Sequence, residues 1–188
     1  MLGKVTHKPL YGNLLAGKPF TVNYAMGWTG DIFGENDVLG ADPTTFGLTN
    51  GKRGNNASYT PWSSFAIVEG KDLEFIVNLD KPTEVSKVIF GSLFNPAMRM
   101  LPAGGIAVEV SADGQQYTQI AEKTLKHDCP ETGRIAFTDS IEFEPAQATF
   151  LKVKIKNGGT LRNGVNFEKN NGPEVIPAEL WIDEIEAY

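Results

Sequence analysis

The sequence predicts an all-β fold, a sandwich of about eight antiparallel strands, and three observations carry that expectation. Short apolar runs alternate with polar residues at period two, which puts every second side chain of a strand on one face. Twenty Gly and 11 Pro punctuate these runs as turn residues do in all-β chains. Between them no stretch carries the apolar period of an amphipathic helix. With 188 residues, 41% of them hydrophobic, the chain can bury one core of ordinary domain size.

The first strand is expected at 20–25 and the second at 73–79, where Leu73, Phe75, Val77 and Leu79 alternate with Glu74, Ile76 and Asn78 and the run Asp80-Lys81-Pro82 supplies a turn. A third follows at 85–94. Ile106, Val108 and Val110 alternate with Ala107 and Glu109, and Asp113-Gly114 then leads into 117–120, which reads as a hairpin. Strands at 134–144 and 151–156 come next; in the latter Leu151, Val153 and Ile155 face inward and Lys152, Lys154 and Lys156 form a solvated face of the kind that protects an edge. The last strand spans 180–188, with Leu180 and Ile182 on one face and Glu184 and Glu186 continuing it. Val108, Val110, Val153, Ile155, Phe75, Val77 and Trp62 are the expected core.

Charge and composition narrow the function. Seventeen Lys and Arg against 23 Asp and Glu give a net charge of -6, so there is no basic field for nucleic acid, which is excluded as a partner. No window approaches 18 consecutive apolar residues, so no membrane insertion is expected, and the first 20 residues lack the apolar core of a signal peptide. The lone Cys129 forms neither an internal disulfide nor a multi-thiolate zinc site. Enzyme signatures are missing: the segment 47–52 has the wrong spacing for a phosphate loop, His127-Asp128-Cys129 point apart in an extended chain, and no two carboxylates pair by spacing across a cleft. The chain alone is therefore expected to lack catalytic activity.

Two stretches, 26–56 and 157–177, break the strand pattern, and loops of that length in a compact domain are usually functional. Together with 94–100 they hold the residues suited to a sugar, which needs flat apolar faces for its C–H side and fixed polar groups for its hydroxyls. Trp28, Phe33, Phe94 and Phe167 are the aromatic candidates, and Asn95, Arg99, Asn163 and Asn166 the hydrogen-bonding ones.

The runs LTNGKRG at 48–54, Trp62, DLEFIVNLDKPTEVSKVIFGSL at 72–93, LPAGGIAVEVSADGQQY at 101–117 and AELWIDEIEAY at 178–188, in that order, resemble the discoidin-like or coagulation-factor type C domain. More narrowly, they are similar to the domain at the C-terminus of family 20 glycoside hydrolases, the chitobiases and β-hexosaminidases of Bacteroidetes. The resemblance implies a galactose-binding-like jelly roll related to carbohydrate-binding module family 32, with residues 1–16 as a linker from an upstream catalytic domain and 17–188 as the sandwich. It implies a bacterial parent protein that is secreted, periplasmic or cell-surface. It implies either a module holding galactose or N-acetylhexosamine glycans or a structural accessory packed on the catalytic barrel. It further implies a structural calcium ion held by Glu184 and the 48–55 loop, where Asn50 stands in place of the family's usual aspartate and supplies a carbonyl oxygen without the charge. Met98 and Met100 stand where the family often has an aromatic.

Overall fold

The structure is a computed structural model that describes residues 12–22, 48–51, 53–54, 56, 70–162 and 175–188. Eight strands lie among them: β1 (Phe20–Val22), β2 (Leu73–Phe94), β3 (Gly105–Ser111), β4 (Thr118–Thr124), β5 (Ile135–Lys156), β6 (Thr160–Arg162), β7 (Val175–Pro177) and β8 (Ile182–Ala187). All strand pairs are antiparallel, in the order β1-β2-β5-β3-β4 with β8 on the other part of β2, and β6-β7 as a separate ribbon. The all-β sandwich expected from the alternation is the fold observed.

The strand count agrees with expectation for a different reason. The runs expected as separate strands at 73–79 and 85–94 are one 22-residue strand, and so are those at 134–144 and 151–156. Asp80-Lys81-Pro82 does not reverse the chain. Between the pairs Asn78↔Phe150 and Thr83↔Ala148 four residues of β2 stand against one of β5, and Asp80 takes a left-handed φ of 71° there. Its amide donates to Asn78 Oδ1 at 2.8 Å, the local bond that lets an aspartate hold this conformation. A second irregularity, between Val85 and Lys87, loops out extra residues of β5 around Pro145. The bends carry both long strands around one core. Leu73, Phe75, Val77, Ile106, Val108, Leu151, Val153 and Ile155 enter it from one side of the bends, and Val85, Val88, Phe90, Ile141, Ile182 and Ile185 from the other. Of the expected core residues, Val110 is only partly buried against it and Trp62 lies outside the described residues.

The lysine row is not an edge. β5 lies between β2 and β3, and its lysines form a cross-strand charge ladder: Lys154 Nζ reaches Glu109 at 2.5 Å, Lys152 Nζ reaches it at 3.3 Å, and Lys156 pairs with Glu122. Burial works to raise the Glu109 pKa, but the hydrogen bonds from Lys154 and Lys152 outweigh it and hold the carboxyl below its ordinary value.

The expected linker boundary falls inside the packed region. Leu15 is fully buried in the core, Leu14 N donates to Ala187 O at 2.9 Å, and Asn13 Oδ1 accepts from Ala187 N at 3.2 Å. Residues 12–16 are thus part of the sandwich, while 1–11 lie outside the described residues.

Replacing Val153 with Asp should abolish folding, because an unpaired charge at a fully buried position costs more than about 4 kcal/mol. Lys154→Asp sets a second carboxylate against Glu109 and should cost on the order of 1 kcal/mol, whereas Lys156→Ala should be near silent. Urea denaturation of the three variants checks this ordering.

Candidate functional site

The C-terminal strand is where the chain concentrates buried charge. β8 pairs with β2 through Val88↔Ala187, Ile89↔Glu186 and Phe90↔Ile185, but the next pair is Ser92↔Ile182. Two residues, Asp183 and Glu184, therefore stand opposite the single residue Gly91, a two-against-one bulge. The bulge reverses the facing of the strand. Leu180 and Ile182 point into the core before it, and Ile185 and Ala187 after it. Glu184 and Glu186 consequently do not continue the face of Ile182, as simple alternation predicts; Glu186 lies on the opposite face. Gly91 makes room for the bulge, since a Cβ built there would stand 2.2 Å from Asp183 Oδ1.

Asp183, Glu184 and Glu186 are all buried, and Arg53 is buried beside them. Arg53 comes from the 48–54 loop, which lies along the edge of β8 that β2 leaves open: Ile185 N donates to Leu48 O at 2.7 Å. Its guanidinium spreads over three acceptors. Nε and one terminal nitrogen donate to Glu186 Oε1 at 3.0 and 2.6 Å, and the other terminal nitrogen donates to Asp183 Oδ1 at 3.0 Å and to the Glu184 carbonyl at 2.9 Å. Two loop amides complete the clasp, Gly54 N to Asp183 Oδ2 at 2.7 Å and Gly51 N to Glu184 Oε1 at 2.9 Å. Glu186 Oε2 accepts from the Tyr188 hydroxyl. Glu184 Oε2 is buried and has no hydrogen-bond partner among the described residues. Burial pushes the Glu184 carboxyl up to about 8 against the opposing pull of the Gly51 amide and Arg53, and burial likewise raises Asp183.

The orphan oxygen of Glu184 is the feature a cation would satisfy, yet the set as a whole does not fit calcium. Ca²⁺ takes about 6–8 oxygen ligands. Here each carboxylate oxygen of Asp183 and Glu186 already accepts a hydrogen bond, and the carbonyls of Leu48, Thr49 and Glu184 do too. Among the described residues no group of three or more acidic, histidine or cysteine side chains is arranged to hold a metal ion. Asn50 is half-buried beside Gly51, so the loop and strand named for calcium do meet, but through Gly51 and Arg53.

A second cluster forms at the end of the sandwich where β2 finishes. Phe94 is buried on the face of Phe90, so its ring is not offered to a ligand as its loop position suggested. Asn95 and Met100 exchange backbone hydrogen bonds at 3.0 Å around a 3-10 turn, Pro96–Met98. Arg99 closes that turn in a left-handed conformation, φ 60°. One of its terminal nitrogens donates to Glu179 Oε1 at 2.9 Å, and Trp181 Nε1 donates to Glu179 Oε2 at 3.0 Å. Met100 and Trp181 are buried with Leu93 in a small cluster apart from the main core, while Met98 is exposed. The base of the 157–177 loop adjoins this turn: Leu101 N donates to Glu179 O, Asn157 Nδ2 to Ala178 O and Ala178 N to Gly159 O. Contrary to the expectation of irregular chain, that base is the β6-β7 ribbon. Two of the three loops expected to form one site thus share an end of the fold. Trp28, Phe33, Asn163, Asn166 and Phe167 lie outside the described residues.

Sequence reasoning missed Arg53, Asp183, Glu179 and Trp181. Three acids within four positions of an otherwise apolar strand, with one arginine in a Gly-flanked loop, were the available signal for the first two.

No family model matches the chain, and no curated protein matches it. Among solved structures it is similar in fold to chitosan-binding module 1 of a chitosanase/glucanase from Paenibacillus sp. IK-5, with a TM-score of 0.52 and 18% identity over 94% of this chain and 98% of that one. Chitosan-binding module 2 of a chitosanase/glucanase from the same organism, solved with chitotriose, gives a TM-score of 0.50 and 14% identity over 94% and 99% of the two chains. The fold is thus a β-sandwich of the kind found in these carbohydrate-binding modules.

Gly91→Ala should destabilise the domain by about 2 kcal/mol or more, since the new methyl and the clasped Asp183 carboxylate cannot share the space; chemical denaturation reads the loss. A pH effect follows from Glu184. Its folded-state value of about 8 lies above its ordinary 4.5, so the folded state holds a proton the unfolded chain releases in that interval. The contribution is fully present below about pH 4.5 and is lost as pH rises toward about 8. Glu184→Gln, neutral throughout, should flatten this decline when melting temperatures are compared from about pH 5 to 8.5 in chelator-containing buffer.

Proposed function

We propose that the chain is a non-catalytic carbohydrate-binding module, appended to a secreted or envelope glycoside hydrolase of the chitobiase or β-hexosaminidase type, which it holds near its glycan. The observation that supports this most is the match, along nearly the whole length of both chains, to two modules described as chitosan-binding. A rigid sandwich carrying loops at one end is a physically suitable platform for such a task. At the described part of that end Glu179 ties down both Arg99 and Trp181, so a guanidinium donor is oriented before a ligand arrives. Galactose and N-acetylhexosamine glycans are the classes we favour. Chitosan oligomers belong beside them, because a chain of net charge -6 attracts a polyamine.

The accessory reading, in which the domain packs on a catalytic barrel and binds no sugar, draws on one observation. At the described loop end Phe94, Met100 and Trp181 are all buried, leaving Met98 and Val175 as the exposed large apolar side chains.

A glycan array carrying the three classes separates the readings. Binding is expected, and Arg99→Ala, Trp28→Ala and Phe167→Ala should each weaken it by about 1–3 kcal/mol. A folded domain that ignores all three classes at millimolar sugar leaves the accessory role. Turnover of chromogenic N-acetylglucosaminide or galactoside substrates that scales with the chain's concentration and survives repurification would overturn both.

A further inference from the structure

The resemblance to sugar-binding discoidin-like modules implies a calcium ion between the 48–55 loop and the last strand, and the donor set at that place departs from it. We propose that Arg53 is the resident cation of this site, and that the chain closes its loop onto β8 with an internal guanidinium in place of a divalent metal.

The argument rests on occupancy of donors and acceptors. A structural metal would have to bind the loop to the strand through oxygens of both, and among the described residues the carboxylate oxygens of Asp183 and Glu186 and the carbonyls of Leu48, Thr49 and Glu184 already accept hydrogen bonds. Asp183 uses Oδ1 for Arg53 and Oδ2 for the Gly54 amide. Glu186 uses Oε1 for Arg53 and Oε2 for the Tyr188 hydroxyl. The Glu184 carbonyl takes a third Arg53 contact, and the carbonyls of Leu48 and Thr49 are held by Ile185 N and Gly17 N. What remains on the acidic side chains is a single buried oxygen, Glu184 Oε2, far short of the about 6–8 that calcium gathers.

The guanidinium meets the geometric demand that a metal would otherwise meet. It is planar and offers five N–H donors in a fixed fork, with Nε and one terminal nitrogen engaged by Glu186 and the other terminal nitrogen by Asp183 and the Glu184 carbonyl. With 8% of Arg53 and 3% or less of each carboxylate exposed, water screens these charges little, so ionised carboxylates there need a cation in contact, and Arg53 is the one placed against them among the described residues. Asn50 is consistent with this. A carboxylate at that half-buried loop position would add a further negative charge beside Arg53, and the neutral amide avoids it.

Calorimetric titration of the metal-free chain with calcium chloride, together with thermal melts in EDTA and in millimolar calcium, tests the proposal. Any ligand that binds only the folded state raises the melting temperature by mass action. No heat of binding and superimposable melts are expected. Saturable heat or a calcium-dependent rise in melting temperature would overturn the assignment. Arg53→Gln should lower the melting temperature, and the double variant Arg53→Gln/Glu186→Gln, which removes a charge of each sign, should recover part of the loss. Melting of Arg53→Gln at the wild-type temperature, or no recovery in the double variant, also counts against it. If Arg53→Gln does not fold, the calcium titration of the unaltered chain still decides.

Discussion

The arginine clasp on β8 is the interaction from which the rest of the architecture follows. β8 has its inward side chains in the main core, pairs with β2 along one edge, and presents its other edge to residues 13–15 and 48–49. An uncovered edge of this kind is a template for pairing with another chain. Arg53 and the Gly51 and Gly54 amides fasten the covering loop over it. Through Leu15 and Leu48, which are fully buried, the same covering segments also fill the core. Edge protection and core closure are therefore one event, and among the described residues Arg53 carries its electrostatic part.

The loop end is organised by a second, partly exposed ion pair. Glu179 receives both Arg99 and Trp181 Nε1, and its backbone joins the 3-10 turn after β2 to the base of the 157–177 loop. Burial of Trp181 calls for a partner for its indole N–H, and Glu179 supplies it with one oxygen while the other takes Arg99. One carboxylate thus serves both donors while fixing how the turn lies against the ribbon. Close backbone approach does the rest. A Cβ at Gly158 would stand 2.3 Å from Pro102 O, so only glycine lets the two segments touch at that point.

How much of this the sequence discloses depends on the range over which its signals act. Period-two alternation is local, so the inward faces of β2, β3 and β5 and the hairpin at Asp113-Gly114 were readable from Leu73, Phe75, Val77, Val108, Val153 and Ile155 alone. Whether Asp80-Lys81-Pro82 reverses the chain or only bends it depends on β5, whose pairing on both sides of the bulge keeps β2 extended. The β6-β7 ribbon was hidden because three-residue strands are too short to show a period. Phe94 ends β2 and Arg99 lies in the turn that follows, but the inward turn of one and the partner of the other depend on β8 and Glu179. The site lost most in translation was Arg53, whose acceptors lie about 130 positions away, as the separations of 130 and 133 residues in its contacts record.

The bulge opposite Gly91 explains why so costly a cluster of charge is tolerated in the fold. Sliding β8 by one residue along β2 would otherwise be an inexpensive error, since backbone pairing is the same in every register. In this chain a slip would turn Ile185 and Ala187 outward and carry Glu184 and Glu186 toward the core, away from Arg53 and the loop amides. Each carboxylate would then be buried without its partner, a loss far larger than the net gain a satisfied ion pair contributes. The clasp contributes little to stability by comparison with the apolar core, and its larger effect is to exclude that alternative. Gly91 enforces the same choice sterically, because it is the position of β2 that gives Asp183 room. Charge and shape thus select one register for the strand on which both the loop cover and the loop end depend.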